Sequence, residues 1–307
     1  MLNFRPVSPS DREWMTAYYQ KRDFPGAQYT FASCRIWEKG YDVQVAEQNG
    51  FLFIRYRFTD PLGCRKTSYR APMGEGDDAA FKEAVEDILR DSRSFCSCEP
   101  VMFQGIPQME LERMQRLYGD KLRPLESRGI FEYIYRREDL LNLSGPRFHG
   151  KRGYINRFMR TPWEYRPMTP DLIPAALQLE RAWEEQNEQL VEEEEELSFE
   201  VKAARFAIRE FESLGLMGGV LFQEGEPVAY TLGEPVNGDT FAVHFEKALY
   251  TVAGAYPMVT WQFVQQMDDR FLWVNREEDT GDEGLRRAKE SWHPDHLLPL
   301  YNAELSG

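Results

Sequence analysis

The sequence predicts an α/β (α+β) fold that is built twice, in which each half forms a mixed, mostly antiparallel sheet flanked by helices. Three observations lead to this prediction. The chain has 307 residues, about twice the length of a typical domain. A six-residue motif occurs twice, as FRPVSP from Phe4 and as YRPMTP from Tyr165. A similar order of helical and strand-like segments follows each copy, so the two halves share one plan.

The repeated motif predicts the start of a strand-to-helix unit in each half. Both copies have an aromatic residue, Arg, Pro, an apolar residue, a hydroxyl residue and Pro. Ser8 and Thr169 are good N-caps, because a side-chain oxygen can accept a hydrogen bond from a backbone N–H of the first turn. Pro9 and Pro170 then occupy the first helical position, where a missing N–H costs nothing.

Local patterns predict the remaining elements in order. The first copy is followed by a helix, a hairpin with an Asn-Gly turn, a helix, a strand and a helix. Their predicted ranges are 11–22, 41–48, 51–58, 78–92, 100–105 and 109–119. The second copy is followed by two helices, a three-strand meander, a helix, a strand and a helix. Their predicted ranges are 170–186, 199–215, 216–223, 228–235, 240–248, 256–269, 270–275 and 282–291.

This order is that of the GNAT acyltransferase fold, here in tandem. Residues 284–301, GLRRAKESWHPDHLLPLY, combine Gly-Leu-Arg, a Lys three positions after Arg286, a Pro and a closing Tyr. They resemble the C-terminal domain family of phosphatidylglycerol lysyltransferases. Residues 142–158, NLSGPRFHGKRGYINRF, are similar to the segment that joins the two GNAT-like halves in the soluble branch of that family. The predicted parts are an N-terminal GNAT-like domain, a basic joining segment and a C-terminal GNAT-like domain, at 1–146, 147–160 and 161–307.

The resemblance implies transfer of an aminoacyl group from aminoacyl-tRNA, the donor, to an acceptor, and it implies no other cofactor. The membrane lysyltransferases of the family carry a membrane-embedded N-terminal region. This sequence has no apolar run near the roughly 18–20 residues of a membrane span and no signal-peptide pattern. We therefore expect a cytoplasmic protein without a transmembrane segment. The acceptor and the oligomeric state stay open.

Two other functions also stay open. An N-acetyltransferase of the same fold would need glycines at a helix start, so that backbone N–H groups can approach the pyrophosphate of acetyl-CoA. Residues 251–256, TVAGAY, keep one Gly of that pattern, and residues 70–76, RAPMGEG, have one residue too many. Acetyl-CoA is therefore the less favoured donor. The other possibility is a protein that binds tRNA or another anion without catalysis.

Charge is distributed unevenly along the chain. Residues 1–160 contain 26 Lys and Arg against 22 Asp and Glu, and the remaining residues contain 11 against 29. The second half has a net charge of −18 and should repel phosphate polymers. We therefore expect tRNA or another anionic partner to bind at the first half and at the joining segment.

The joining segment is rich in cations and has no acid between residues 147 and 160. Four of its residues are predicted to bind RNA or another anion: Arg147, Lys151, Arg152 and Arg157. Phe148, Tyr154 and Phe158 lie between these cations and could stack on the unpaired bases of a tRNA end. The alternative is a polar linker that pairs with the acidic half.

Glu246 is the candidate general base. It lies at the end of a predicted strand, beside which this fold places acyl transfer, and His244 precedes it by the two-residue period of one strand face. We therefore predict a catalytic role for Glu246 and a substrate-binding role for His244. The alternative is an ordinary exposed carboxylate on a strand.

Polar residues lie at and directly after the end of the strand predicted at 270–275, where open α/β sheets bind ligands. Five are predicted to bind substrate: Asn275, Arg276, Glu277, Glu278 and Asp279. Thr280 and Glu283 match a capping box for the next helix. Lys289 and Arg286 share one face of that helix, so we predict both as catalytic donors to a developing oxyanion. The alternative is a well-capped surface helix.

The sequence predicts no metal site. The cysteines Cys34, Cys64, Cys96 and Cys98 lack zinc spacing, and the histidines do not form an H-E-x-x-H motif. We expect reduced thiols. The acidic run at 185–197 is typical of a solvated helix face or a mobile loop.

Overall fold

The computed structural model describes residues 2–59, 63–94, 100–188 and 194–306. Cys96, Cys98 and part of the acidic run at 185–197 lie outside these residues. The helices are α1 Arg12–Arg22, α2 Phe31–Ile36, α3 Glu38–Tyr41, α4 Asp78–Ser92, α5 Gln108–Tyr118, α6 Arg137–Asn142, α7 His149–Phe158, α8 Ile173–Glu188, α9 Glu194–Arg209, α10 Phe211–Leu214, α11 Ala255–Gln266 and α12 Glu283–Glu290. None of the described helices combines the length and the apolar character that a membrane span needs.

The strands are β1 Arg5–Pro6, β2 Gln44–Gln48, β3 Phe51–Thr59, β4 Arg65–Tyr69, β5 Met73–Gly74, β6 Val101–Pro107, β7 Leu122–Leu125, β8 Glu132–Arg136, β9 Trp163–Pro167, β10 Met217–Gln223, β11 Glu226–Pro235, β12 Thr240–Ala248, β13 Trp273–Asn275, β14 His296–Leu298 and β15 Leu300–Leu305. Short 3-10 helices lie at Pro9–Asp11, Gly119–Lys121, Arg128–Ile130, Pro146–Phe148 and Pro170–Leu172.

Each copy of the repeated motif forms a strand followed by a helix. β1 precedes a 3-10 helix and α1, and β9 precedes a 3-10 helix and α8. Ser8 and Thr169 have extended backbones, with φ of −124° and −139°. In the first copy, the carboxylate of Asp11 accepts hydrogen bonds at 2.7 Å from the Ser8 backbone N–H and at 2.7 Å from Nη1 of Arg5. The motif thus builds the same strand-to-helix start in both halves.

The strands form two sheets that exchange one strand each. The first sheet has the order β1-β2-β3-β4-β6-β15-β7, with β5 paired to β3. The second sheet has the order β14-β8-β13-β12-β11-β10-β9. β15 from the second half therefore lies between β6 and β7, and β8 from the first half lies between β13 and β14. The predicted limits 1–146 and 161–307 describe the repeat along the chain, but the hydrogen-bonded sheets do not follow them.

A shared hydrophobic core also joins the halves. Tyr19 and Ile54 of the first half lie in the same buried cluster as Leu179, Ile208 and Leu232 of the second half. Each half therefore needs the other to bury part of its apolar surface.

β12 and β13 form a parallel pair in the second sheet. β12 spans Thr240–Ala248, but it pairs with β13 only from Thr240 to Ala242. Beyond Ala242 and Asn275 the two strands separate. Side chains from both strands can therefore meet in the space between them.

A β-bulge interrupts β12 just after this pairing ends. Leu232 of β11 pairs with Phe245, and the next residue, Gly233, pairs with Val243. His244 is therefore the extra residue of the bulge, which changes the face that the following side chains reach.

The bulge places His244 and Glu246 on opposite faces of the sheet. Val243 lies in the same core cluster as Met258 of α11, and Glu246 accepts a hydrogen bond from Thr260 of α11. Residues 243 and 246 therefore face α11, although an uninterrupted strand would place them on opposite sides. His244, next to Val243, points to the other face. The prediction that His244 and Glu246 share a face is wrong because it assumed an unbroken two-residue period.

Candidate active site

Polar side chains from distant parts of the chain meet where β12 and β13 separate. β12 provides Glu246, and Arg276 follows β13 directly. α7 provides Lys151, β9 provides Tyr165, and Trp292 follows α12. These five residues are referred to as the divergence cleft.

Glu246 and Arg276 form an ion pair in the divergence cleft. Nη2 of Arg276 donates to Oε1 of Glu246 at 2.7 Å, and Oγ1 of Thr260 donates to the same oxygen at 2.8 Å. The side chains of Arg276 and Glu246 are 13% and 10% exposed. Oε2 of Glu246 and Nη1 of Arg276 are buried and have no hydrogen-bond partner within the described residues. Unpaired buried donors and acceptors cost free energy, so these atoms mark a place where a ligand or water can bind.

Lys151 adds a second cation. Its Nζ donates to Oγ of Ser291 at 2.7 Å and lies 4.5 Å from the centre of the Trp292 ring. Burial, with a smaller contribution from the charge of Arg276, lowers the pKa of Lys151 to about 8 against the opposite effect of Glu246. Lys151 therefore loses its proton more easily than an ordinary lysine.

Tyr165 adds a hydroxyl group. This hydroxyl is buried and, in the described part of the chain, has no hydrogen-bond partner. Burial, together with the negative charge of Glu246, raises the pKa of Tyr165, so the hydroxyl keeps its proton. The equivalent position in the first copy of the motif is Phe4, which has no hydroxyl.

His244 lies between two carboxylates on the other face of the sheet. Its Nδ1 is 2.7 Å from Oε1 of Glu277, and its Nε2 is 2.9 Å from Oε1 of Glu234. Burial alone would lower the pKa of His244, but the hydrogen bonds to Glu234 and Glu277 raise it to about 10. The ring is therefore protonated at neutral pH. Direct substrate binding, as predicted for His244, conflicts with this geometry because neither nitrogen is free.

Asn275 is a structural residue at the junction of the two halves. It is fully buried, and its Nδ2 donates to the Pro25 backbone oxygen at 2.9 Å and to Oε2 of Glu132 at 2.6 Å. Its Oδ1 accepts from the Glu277 backbone N–H at 2.8 Å. The predicted substrate contact of Asn275 is corrected to a structural role, because all of its polar atoms are used within the protein.

Asp279 is also fully buried, next to the start of α12. Its carboxylate accepts from Nε and Nη2 of Arg286 at 2.9 and 3.1 Å, and from the Tyr133 hydroxyl at 2.7 Å. Burial alone would raise the pKa of Asp279, but its hydrogen bonds, that from Arg286 first, hold it well below the usual range. The predicted contact of Asp279 with substrate conflicts with this geometry, because Asp279 is fully buried and both of its carboxylate oxygens accept hydrogen bonds within the protein. The predicted contact of Arg286 with an oxyanion stays a prediction.

Glu277 and Glu278 lie at the seam between the halves and are half-buried. Glu277 has φ of 58°, an uncommon conformation for a residue other than glycine. Oε1 of Glu278 accepts from Nε2 of Gln28, a residue of the first half, at 3.2 Å. Burial and the charge of Glu277 raise the pKa of Glu278. Substrate binding by Glu277, Glu278 and Arg276 stays a prediction.

Lys289 lies directly behind the divergence cleft. Its Nζ donates to the backbone oxygen of Arg276 and lies 5.7 Å from the centre of the Tyr133 ring. Burial lowers the pKa of Lys289 to about 8, although Glu277 and Glu278 act in the opposite direction. The geometry makes Lys289 a positioning residue for Arg276, and its catalytic role stays a prediction.

The start of α12 differs from the predicted capping box. Asp282 is the N-cap, and its side chain accepts a hydrogen bond from the Leu285 backbone N–H. Thr280 has φ of 51° and lies in the preceding turn. The capping-box prediction is wrong because the helix begins two residues later than Thr280 would require.

The basic joining segment is folded as a 3-10 helix and α7. Nη2 of Arg147 is 2.7 Å from Oδ2 of Asp139, and Nη1 of Arg152 donates to the Gly145 backbone oxygen at 2.8 Å. Lys151 reaches the divergence cleft, whereas Arg157 is exposed. The four cations therefore have different surroundings, and α7 connects the surface with the cleft.

The aromatic residues of this segment mostly face inward. Phe148 and Phe158 are 0% and 1% exposed, whereas Tyr154 is 54% exposed. The prediction that Phe148 and Phe158 stack on bases is wrong, because the helix turns both rings into the core. Tyr154 remains accessible.

Neither glycine loop presents an open helix start for a pyrophosphate. Gly254, with φ of 92°, precedes α11, and a Cβ added there would lie 2.6 Å from the Tyr154 backbone oxygen. The Ala255 N–H is used within the preceding turn, and Pro257 has no N–H. In the first half, the side chain of Asp77 accepts a first-turn N–H of α4 at 2.9 Å and puts a negative charge there.

The sequence did not lead us to Tyr165, Thr260 or Trp292. Tyr165 had a signal, since it replaces a Phe in an otherwise similar motif. Thr260 lies within the apolar α11, and Trp292 follows a charged helix, so neither had a local signal.

The fold defines a class of protein, the tandem GNAT-like proteins. A family model described as "Phosphatidylglycerol lysyltransferase, C-terminal" matches residues 20–304. The chain belongs to this family, which places it among the acyltransferases.

Solved structures have the same fold. A conserved protein of unknown function from Bacteroides thetaiotaomicron VPI-5482 is 34% identical, with 100% of both chains covered and a TM-score of 0.89. The C-terminal domain of a putative lysylphosphatidylglycerol synthetase from Agrobacterium fabrum is 14% identical, with 98% of this chain and 93% of that chain covered and a TM-score of 0.66. A tandem GNAT protein from the clavulanic acid biosynthesis pathway is 10% identical, with 100% and 99% covered and a TM-score of 0.55. The comparison with curated proteins gave no match.

Proposed function

We propose that the protein transfers an aminoacyl group from aminoacyl-tRNA to an acceptor in the divergence cleft. One observation carries this proposal. Oε2 of Glu246 and Nη1 of Arg276 are buried, belong to one ion pair and have no partner in the described residues. Acyl transfer needs both a base for the incoming nucleophile and a donor for the developing oxyanion, and these two atoms can supply them.

The proposed step assigns one task to each group. Oε2 of Glu246 takes a proton from the acceptor hydroxyl or amine, which attacks the ester carbonyl carbon of the aminoacyl group. Nη1 of Arg276 donates to the carbonyl oxygen as it becomes negative, and Lys151 adds positive charge. The ester C–O bond to the tRNA ribose then breaks, and the proton passes from Glu246 to the leaving ribose oxygen. The acceptor is acylated and Glu246 is again ionised.

Lys289 and Arg286 support this step indirectly. Lys289 binds the backbone oxygen of Arg276, and Arg286 holds Asp279 three residues further along. Both contacts fix the segment that aims the Arg276 guanidinium at Glu246. We therefore assign Lys289 and Arg286 to positioning Arg276.

The charge distribution supports an approach of RNA along α7. Arg157 and Tyr154 are exposed on this helix, and Lys151 of the same helix reaches the divergence cleft. The second half, with a net charge of −18, would repel phosphates elsewhere. A tRNA end lying on α7 would therefore bring its ester close to Glu246.

Acetyl-CoA has less support as a donor. The start of α11 is packed against α7 at Gly254, and the start of α4 carries the carboxylate of Asp77. Neither arrangement favours a pyrophosphate, which needs free N–H groups and no nearby negative charge.

A donor panel tests the proposal. Aminoacyl-tRNAs labelled in the amino acid, and acetyl-CoA labelled in the acetyl group, are incubated with the protein and with small-molecule and lipid fractions of a cell extract as sources of acceptor. We expect loss of label from at least one aminoacyl-tRNA above the protein-free rate and no loss from acetyl-CoA. Loss from acetyl-CoA alone would contradict the proposal. Retention of aminoacyl-tRNA without loss of label would favour a non-catalytic binder.

A further inference from the structure

We infer that His244 is a positioning residue: it ties β12 to the segment that follows β13 and thereby fixes how far apart Glu246 and Arg276 stand. The inference rests on the proposed function for the reaction that this distance serves. The tie itself is a property of the fold, so it can be tested without any donor or acceptor.

Two links cross the space in which β12 and β13 separate. Only three residue pairs join these strands before they diverge. On the face that packs against α11, the ion pair of Glu246 and Arg276 crosses the space. On the opposite face, Nδ1 of His244 lies 2.7 Å from Oε1 of Glu277. The second link is two residues from Glu246 along β12 and one residue from Arg276, so it holds the first link at a fixed width.

Glu277 is held by its backbone as well as by its side chain. Its φ of 58° lies in the left-handed region, which a residue other than glycine keeps only where the surrounding structure fixes it. Its N–H donates to Oδ1 of Asn275 at 2.8 Å, and its backbone oxygen accepts from the Tyr133 N–H at 3.1 Å. Because this turn directly follows Arg276, it fixes the direction in which the Arg276 side chain leaves the backbone.

His244 is suited to hold this turn because it has a second carboxylate partner. Its Nε2 lies 2.9 Å from Oε1 of Glu234 on β11, and its side chain is 4% exposed. Both ring nitrogens can donate at once only in the imidazolium form, and hydrogen bonds between charged groups are short and strong. The flat ring therefore forms a rigid link from β11 through β12 to Glu277.

A matched pair of substitutions separates positioning from a general loss of stability. The amide nitrogen of Asn takes the place of Nδ1 of His, and that of Gln takes the place of Nε2. His244→Asn therefore keeps the bond to Glu277, whereas His244→Gln keeps only the bond to Glu234. Each variant loses one bond and the ring's charge, so their melting temperatures should fall by similar amounts.

The kinetic constants of the two variants should differ. We expect His244→Gln to lower kcat by about 10²-fold with little change in KM, because a small displacement of reacting groups has an effect of this size. His244→Asn should keep most of the turnover. Equal values of kcat in the two variants would overturn the inference.

Chemical modification measures the cleft itself, without any substrate. Phenylglyoxal reacts with accessible guanidinium groups, and mass spectrometry gives the rate at each arginine. The Arg276 side chain is 13% exposed, and that of Arg287 is 74% exposed and serves as the internal reference. Relative to Arg287, Arg276 should react faster in His244→Gln than in the wild-type protein or in His244→Asn. Equal relative rates in the wild-type protein and His244→Gln would contradict the tie.

A substitution at the other end of the tie keeps the test open if the variants of His244 fail to fold. Glu277→Asn preserves the left-handed backbone, which Asn tolerates, but its side chain is too short to reach His244. Arg276 should again react faster, and an unchanged rate would overturn the inference. Absence of transfer by the wild-type protein would contradict the proposed function, whereas the modification rates decide the tie in either case.

Discussion

The two halves of the molecule use the same place in the fold in different ways. In the first half, β4 and β6 are the parallel pair, and Arg70 directly follows β4. Nε of Arg70 donates to the Tyr56 hydroxyl at 2.8 Å, and its Nη2 donates to Oε1 of Gln28 at 2.7 Å. Its guanidinium also lies 4.7 Å from the centre of the Tyr29 ring. The space beside the first parallel pair is therefore filled by the protein's own cation.

The second half leaves the equivalent space polar and incompletely paired. Glu246, Arg276 and Tyr165 each keep one buried atom without a partner in the described residues. We propose a division of roles on this basis: the space beside the first parallel pair is filled by Arg70 and supports the fold, and the corresponding space in the second half is the place of binding and reaction. Five predictions test this division.

The largest effect is expected for Glu246→Gln, which keeps the size of the side chain but removes the base. Turnover should fall by about 10²- to 10⁴-fold, and thermal stability should change little. Glu226→Gln, at an exposed carboxylate of β11, is the control. Rates of label loss and melting temperatures are measured on the same preparations. Full turnover by Glu246→Gln would show that the base lies elsewhere.

Arg70→Met should affect stability rather than chemistry. The substitution removes the donors to the Tyr56 hydroxyl and to Oε1 of Gln28 and the buried guanidinium itself, so the free energy of unfolding should fall by about 2–3 kcal/mol. Turnover per folded molecule should stay the same. Urea unfolding is compared with that of Arg116→Met, an exposed control. A loss of turnover per folded molecule would mean that the region beside β4 and β6 takes part in the reaction.

Lys289→Ala tests whether the divergence cleft depends on the position of the Arg276 guanidinium. Without the contact to its backbone oxygen, Arg276 shifts, and kcat should fall by up to about 10²-fold with little change in KM. Lys289→Arg should restore part of the activity, and Arg287→Ala, at an exposed position of the same helix, should keep all of it. An increase in KM alone would assign Lys289 to substrate binding.

The pH dependence of stability tests the seam between the halves, where Glu132 of the exchanged strand β8 lies. Burial, followed by the charge of Glu278, raises the pKa of Glu132 from 4.5 to about 8. Between these values the folded protein holds a proton that the unfolded chain releases, so stability falls as pH rises through this window. The expected slope is about 1 kcal/mol per pH unit.

Urea unfolding in steps across this pH window measures the slope, which should flatten in Glu132→Gln. A residual slope above pH 6.5 is expected from His244, whose pKa is raised from 6.5 to about 10. An unchanged slope in Glu132→Gln would show that Glu132 is ionised in the folded protein.

The smallest effect is expected for Arg157→Gln. One lost phosphate contact should reduce the slope of log K against log salt for RNA binding by about 0.7. Arg209→Gln, an exposed cation of the second half, should not change that slope. A slope that stays the same in Arg157→Gln would remove this part of α7 from the RNA-binding surface.

Local signals predicted the local parts of the fold. The repeated motif, the Asn-Gly hairpin and the strand before α12 all depend on residues close in sequence. The exchange of β8 and β15 was not predictable in this way, because a strand's sequence favours extended structure without specifying its partner. The positions of both strands are decided by packing between distant parts of the chain.

In the candidate site, too, local sequence signals did not reveal contacts between distant parts of the chain. Glu246 and Arg276 were found from their positions at strand ends, but their mutual pairing required the separation of β12 and β13. The bulge at His244 places His244 and Glu246 on opposite faces of the sheet, whereas the two-residue strand period predicted a shared face. Asp279 is hidden by Tyr133, a residue of the exchanged strand, which no local pattern reveals.

Photocrosslinking tests the central claim most directly. An aminoacyl-tRNA whose aminoacyl group carries a photoreactive diazirine is bound to the wild-type protein, irradiated and mapped by mass spectrometry. The division of roles predicts crosslinks in β12, in α7 or at Arg276, which all border the divergence cleft. Crosslinks concentrated in β4, in β6 or at Arg70 would contradict it, because the reacting group would then lie in the first half.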